Sequence, residues 1–319
     1  MSDKNNQLNE YRCEVPVMLC TFTRLDTTKM VFEQIRKVKP KKLYLVSDGP
    51  RESHPEDKEK IEAVHEYIEG NIDWDCEVLK NYSDVNMGCG KRMPTGISWV
   101  FEHEERAVFL EDDCVPEISF FRYCEEMLEK YEDNEQIFLI SGNNPIAFKN
   151  WFGKFDYGFS KLPGTWGWAS WRTKWLNYDY DMKSWPEKKS SFDWKRIYPT
   201  RARWTYLAEF DTVYKHEYDA WDYQVTYMLA VNDGLVVAPG KNQVRNAGFS
   251  AEGSTHTVTI PEWMDQKSVP FEFPLVAPSE VKWNRDYDNY FMKNEFKHGY
   301  VVKIKHILGL NVNKSFFER

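Results

Sequence analysis

The strongest constraint on this chain is an alternation. From Val15 to Ser141, apolar runs of strand length take turns with stretches of helical period. Val15–Phe22 is strand-like and ends at Thr23-Arg24; a helix follows with Asp26 as its N-cap and Val31, Ile35 and Val38 on one face. Lys42–Val46 is a second strand, closed by Ser47-Asp48-Gly49-Pro50. Pro55 opens a second helix with Ile61, Val64 and Ile68 as its apolar stripe and Gly70 as its stop. Cys76–Leu79 reads as a third strand, and the loop from Asn81 to Gly90 leads into a helix over Lys91–Glu104. Ala107–Leu110, a helix over Ser119–Tyr131 and a strand at Ile137–Ser141 continue the series. Such alternation predicts an α/β protein with a mostly parallel sheet and right-handed crossovers.

Composition narrows the class. The chain has 319 residues, 42% hydrophobic and 16% aromatic, enough for one large core and too apolar for a disordered protein. Nowhere does an apolar run reach the roughly 20 residues that cross a bilayer. The first residues, Met-Ser-Asp-Lys-Asn-Asn-Gln, lack the apolar segment of a signal peptide. The six cysteines form no Cys-x-x-Cys pair, so reduced core residues of a cytoplasmic protein are expected. A net charge of −8 argues against a nucleic-acid partner.

The polar residues of this half cluster where strands should end. Ala107-Val-Phe-Leu runs straight into Glu111-Asp112-Asp113, and Pro116 closes the segment. In open α/β sheets, ligands bind at the carboxyl ends of strands. Three adjacent carboxylates repel one another unless a cation or hydrogen bonds compensate. Oxygen ligands suit Mn²⁺ or Mg²⁺, which share them with substrate phosphates. A metal–diphosphate site is therefore one reading of the triplet, and an acidic loop with Asp112 capping a turn is the other. Thr23-Arg24, Ser47-Asp48-Gly49 and Asn86-Met-Gly-Cys-Gly90 stand at further strand ends or helix starts. Glycines before a helix offer backbone N–H groups to an anion, and Lys91 and Arg92 could add charge to a phosphate contact.

Beyond Asn143 the texture changes. Eight of the thirteen tryptophans fall between Trp151 and Trp204. Tryptophan faces stack on sugars but also pack in cores, and core packing is the expectation for most of them. Trp166 and Trp168, spaced by Gly164 and Gly167, are singled out as acceptor contacts. Asp219–Val231 has a helical pattern, and Asp222 in its first turn beside aromatics suits a general base. The other reading of Asp222 is an ordinary helix-start acid. His256, set between hydroxyl residues, could complete a metal shell or lie on the surface.

Together these motifs resemble a GT-A-fold glycosyltransferase, nearest in pattern to the N-acetylglucosaminyltransferase I family and its bacterial relatives. The resemblance covers residues 15–257. It rests on Thr23-Arg24, the Ser47-Asp48-Gly49 turn, Glu111-Asp112-Asp113 with Pro116 and Phe120-Phe121, Trp221-Asp222 and His256. It implies a Rossmann-like domain with a sugar-nucleotide half over 12–142, an acceptor half over 143–260 and a C-terminal extension over 261–319. It further implies that Asp113 binds Mn²⁺, that Glu111 and Asp112 face the nucleotide-sugar donor, and that Asp222 is the base. This chain has Asp222-Tyr223 where the family carries two adjacent acids, and a histidine ligand is a feature of other GT-A enzymes. An inverting, metal-dependent transfer from a UDP-sugar to a saccharide is the implied function. A nucleotidyltransferase of similar architecture and a non-catalytic saccharide-binding protein are the alternatives. In the tail, Lys293, Lys297, Lys303, Lys305, Lys314 and Arg319 face only Glu295 and Glu318. That basic, amphipathic segment could dock on the domain or lie on an anionic membrane surface, which would suit a lipid-linked saccharide acceptor.

Overall fold

The computed structural model describes residues 11–248 and 267–295. Its first half follows the alternation: β1 (Val17–Thr21), α1 (Leu25–Val38), β2 (Lys42–Ser47), α2 (Asp57–Gly70), β3 (Glu77–Tyr82), α3 (Cys89–His103), β4 (Arg106–Glu111). A short β5 (Cys114–Pro116), α4 (Ile118–Lys130) and β6 (Ile137–Ser141) complete it. The second half contributes β7 (Tyr157–Ser160), β8 (Trp168–Trp171), α5 (Arg172–Trp175), α6 (Trp185–Ser191), α7 (Thr200–Tyr214) and α8 (Asp222–Val231). Then come β9 (Leu235–Pro239), β10 (Val244–Asn246) and α9 (Arg285–Glu295).

One eight-stranded sheet runs through both halves in the order β3-β2-β1-β4-β8-β6-β9-β7. β1 to β4 are mutually parallel, β6 and β9 run with them, and β8 and β7 run against them. The protein is thus α/β with a mostly parallel central sheet. Alternate residues of β1 serve opposite faces, as the pleat requires. Val17 and Leu19 join the core beneath α1 and α4, whereas Met18 joins the one beneath α3 and α8.

Several boundaries shift for local reasons. β1 begins at Val17 because Pro16 has no N–H, though its carbonyl still accepts the Val108 N–H at 2.9 Å. Arg24, not Asp26, is the N-cap of α1, and Asp26 lies in the first turn. The helix expected from Asp219 starts at Asp222. After Asp113 the chain re-enters strand as β5, which pairs antiparallel with β10 in a separate two-stranded sheet. That pairing was not foreseen, because three-residue strands carry too little periodicity.

All six cysteines are free thiols. Among the described residues no helix is long and apolar enough to cross a membrane. His256 and residues 296–319 of the basic tail lie outside the described residues.

Candidate active site

The carboxyl ends of β1, β2 and β4 bring the first half's polar residues to one edge. β4 ends at Glu111, and the turn behind it carries Asp112 and Asp113. Asp112 is 3% exposed, and its Oδ2 accepts the Phe22 N–H at 3.3 Å. Arg24, just past β1, pairs with both acids: one Nη2–H reaches Asp112 Oδ1, and Nη1 lies 3.0 Å from Asp113 Oδ2. Burial works against the charge on Arg24, but Asp112 and Asp113 outweigh it and hold the guanidinium protonated. One cation thus compensates two of the three charges that would otherwise repel.

Glu111 feels Arg24 as well, but other effects outweigh it. Burial first, then Asp113 and Asp112, push its carboxyl well above the usual range, and Asp222 pushes in the same direction. Asp222 comes from the first turn of α8, in the other half of the chain. α8 is seated by packing. Trp221 stacks against Trp168 at 5.9 Å between centroids, and Val225 and Met228 enter the same core as Phe109 of β4. Tyr178 Oη–H donates to the Trp221 carbonyl at 3.3 Å.

The loop before α3 is tied to β2. Asp48 accepts N–H bonds from Gly49 at 2.9 Å, Met87 at 2.8 Å and Gly88 at 3.0 Å, and from Asn86 Nδ2 at 3.1 Å. Burial raises its pKa while those amides oppose the rise. Asp48 therefore shapes the loop. The same holds for Arg92, which is buried and donates Nε–H to Ser47 O at 3.0 Å and Nη2–H to Asn81 Oδ1 at 2.9 Å. Both side chains are committed to the scaffold, whereas Lys91 at the start of α3 is exposed. Thr23 lies partly exposed between β1 and Arg24.

The two singled-out tryptophans part company. Trp168 is 2% exposed, between Phe109 at 4.6 Å and Trp175 at 5.9 Å, so core packing takes the face expected for a sugar. Trp166 stays partly exposed in the loop entering β8. Because β8 runs antiparallel with Trp168 opposite Phe109, that loop meets the acidic end of β4. Its neighbour Gly167 has φ +65°, and a Cβ there would meet Val244 at 2.7 Å and Leu110 at 3.2 Å.

The donor set can be tested against Mn²⁺ or Mg²⁺. Among the described residues no three His, Cys, Asp or Glu side chains form a group that could hold an ion. Yet Mg²⁺ is ordinarily held by one or two carboxylates together with substrate phosphates. Asp113 keeps 15% of its side chain exposed against 4% for Asp112, and its hard oxygens fit such a shared site. The backbone of Gly248 closes on it: a Cβ there would overlap Asp113 Oδ2 and lie 3.0 Å from Arg24 Nη1.

Sequence reasoning passed over the contacts that tie β10 and the 217–221 loop to this edge. Gly88 and Gly90 were the available signal, since each faces Asp219 too closely to carry a side chain.

No family model and no curated protein matches the chain. Among solved structures, HddC from Yersinia pseudotuberculosis is 11% identical over 50% of this chain and 77% of its own, with a TM-score of 0.31. An apo UDP-glucose pyrophosphorylase is 8% identical over 73% of this chain and 93% of its own, TM-score 0.34. Mouse xyloside xylosyltransferase 1 is 11% identical over 68% and 82%, TM-score 0.32. Likenesses this slight carry no weight for activity. None of the three is an N-acetylglucosaminyltransferase I, and that resemblance stays with the motifs that suggested it.

Proposed function

We propose that the protein is an inverting glycosyltransferase that moves a sugar from a nucleotide-diphosphate donor to a saccharide hydroxyl. The observation that supports this best is the cluster of Glu111-Asp112-Asp113 and Arg24 at one sheet edge, with α8, which begins at Asp222, packed into the same core as β4. A leaving diphosphate needs positive charge, and an attacking hydroxyl needs a base on the opposite side of the sugar. Arg24, set beside the acids, is the cation for the diphosphate, with exposed Lys91 of α3 in support. Glu111, whose carboxyl is pushed toward its protonated form by burial and its acidic neighbours, faces the sugar or ribose of the donor. Asp222 takes the acceptor proton, and partly exposed Trp166 stacks on the acceptor ring. A divalent ion bound at Asp113 would act as a Lewis acid on the departing diphosphate.

The test is a screen of sugar nucleotides with Mn²⁺, following the released product. Free UDP supports the reading, formation of UTP and sugar 1-phosphate on addition of pyrophosphate would replace it with a nucleotidyltransferase, and binding without turnover would leave a saccharide-binding protein. Calorimetry with UDP and Mn²⁺ complements the screen. Asp113→Ala should abolish metal-dependent UDP binding while the circular dichroism spectrum is unchanged. Unaltered affinity removes the metal assignment.

A further inference from the structure

The start of α3 lacks a cap of its own. Its N-cap residue is Gly88, which has no side chain to give the first-turn amides. The acceptor arrives instead from far along the chain: Asp219 Oδ1 takes the Gly90 N–H at 2.9 Å. The approach is close on every side. A Cβ on Gly90 would overlap Asp219 Oδ1 and lie 2.9 Å from the Ala220 nitrogen, and one on Gly88 would lie 2.6 Å from Asp219 Oδ2. Gly88 thus leaves room for the Asp219 carboxylate, and Gly90 for that carboxylate and the Ala220 backbone, against the helix start. Two residues further on, α8 begins at Asp222. On the other side, Asp48 holds the Met87 and Gly88 amides from the end of β2. A continuous chain of contacts therefore runs from a strand of the donor half to the first turn of α8.

We propose that Asp219 is a positioning residue. By capping α3 in place of Gly88, it fixes the first turn of α8 and hence where Asp222 stands relative to the acids of β4. The inference rests on the transferase reading for its functional meaning, but the clamp itself is a property of the chain alone. It needs a hydrogen-bond acceptor at residue 219, not a charge or a proton shuttle. Asparagine should therefore replace aspartate, and alanine should not. A general base at this position would fail in both variants.

Hydrogen–deuterium exchange of the ligand-free protein decides it. In Asp219→Ala, residues 88–92 and 221–226 should exchange roughly five-fold faster, together, as after loss of an N-cap. Asp219→Asn should leave both slow, and β1 and β4 should be unaffected throughout. Gly90→Ala, which displaces the same backbone from the other side, should reproduce the alanine pattern. Unchanged exchange at 221–226 in Asp219→Ala, or equal loss in the asparagine variant, overturns the proposal. Kinetics add the functional half, read as UDP released from UDP-glucose or UDP-N-acetylglucosamine. Asp219→Ala should lower kcat roughly ten- to hundred-fold with the donor KM unchanged, the size expected of a misplaced group, and asparagine should restore it. A kcat unchanged in the alanine variant also overturns it. A wild type that turns over neither donor counts against the transferase reading, and exchange then decides the clamp alone.

Discussion

Two groups of costly side chains meet across the β4–β8 pair, and each is settled differently. At the end of β4, three carboxylates share one guanidinium and a backbone amide, and Glu111 is left raised by burial and its acidic neighbours. Along β8 and the helices that follow, Trp168, Trp175, Trp185 and Trp194 are settled by burial against one another and against Phe109, Phe210 and Tyr227. An indole is apolar over most of its surface, so packing and one acceptor for its N–H satisfy it, as Ser98, Asp211 and Lys188 do for Trp175, Trp185 and Trp194. A carboxylate in a buried cluster stays costly until something charged arrives. Aromatic enrichment alone is therefore weak evidence for a sugar site, whereas an incompletely compensated acidic cluster at a sheet edge is strong evidence for a ligand.

If that contrast holds, substitutions in the two groups should separate activity from stability. The largest effect is expected at Asp222. Asp222→Asn should lower kcat by roughly 10²–10⁴-fold, the range for loss of a general base, with donor affinity nearly intact. Initial rates of UDP release check this. Wild-type turnover would move the base elsewhere, and weakened donor binding would place Asp222 in the donor site.

Trp168→Ala should act in the opposite way. Removing a fully packed indole costs about 3–5 kcal/mol of stability. Urea unfolding should show that loss, and any activity that survives should keep its acceptor KM. A raised acceptor KM at unchanged stability would restore Trp168 to the sugar site.

A third test uses a buried carboxylate of the aromatic half. Asp288 on α9 accepts Ser160 Oγ–H at 2.6 Å, the Lys161 N–H at 2.8 Å and Trp283 Nε1–H at 2.6 Å. Burial still wins, and its pKa is raised from 3.8 to about 6. The folded-state value lies above the unfolded one, so this group's stabilisation is complete below 3.8 and is lost as pH rises to about 6. A shift of that size corresponds to about 3 kcal/mol. An asparagine side chain mimics the protonated carboxyl, its oxygen toward Lys161 and Trp283 and its NH2 toward Ser160 Oγ, so Asp288→Asn should match wild type at low pH. The variant should become relatively more stable as pH climbs through that window. A gap constant with pH would show that the three donors cancel the effect of burial.

How much of this was legible beforehand differs between the halves for the same physical reason. In the first half, strand period and helix period are imposed by a two-sided core, so the sequence shows both the elements and the polar residues left at their ends. Glu111, Asp112 and Asp113 lie at the end of β4, where that pattern puts them. Long-range pairings escaped it. Arg24 bridging Asp112 and Asp113, Asp219 capping α3, and β10 zipping onto β5 join residues whose local patterns carry no mark of their partners. In the second half, tryptophans looked alike in sequence, and only the register of β8 separates Trp168, which faces Phe109, from Trp166 in the loop.

The smallest expected effect tests the same separation between neighbours. Lys91 and Arg92 are adjacent cations at the start of α3, and sequence alone made them equal candidates for phosphate. Arg92 is 4% exposed, with its guanidinium spent on Ser47 and Asn81. Arg92→Ala would leave those acceptors buried without a donor, a loss of about 1–3 kcal/mol visible in unfolding. Lys91 is exposed, so its alanine variant should unfold at the same denaturant concentration as wild type. A solvent-exposed charge contributes less than about 1 kcal/mol, so donor KM should rise by no more than about five-fold and the rise should shrink with added salt. A stability loss at Lys91, or a salt-sensitive KM change at Arg92 with stability intact, would reverse the assignment and turn α3's buried cation toward the donor.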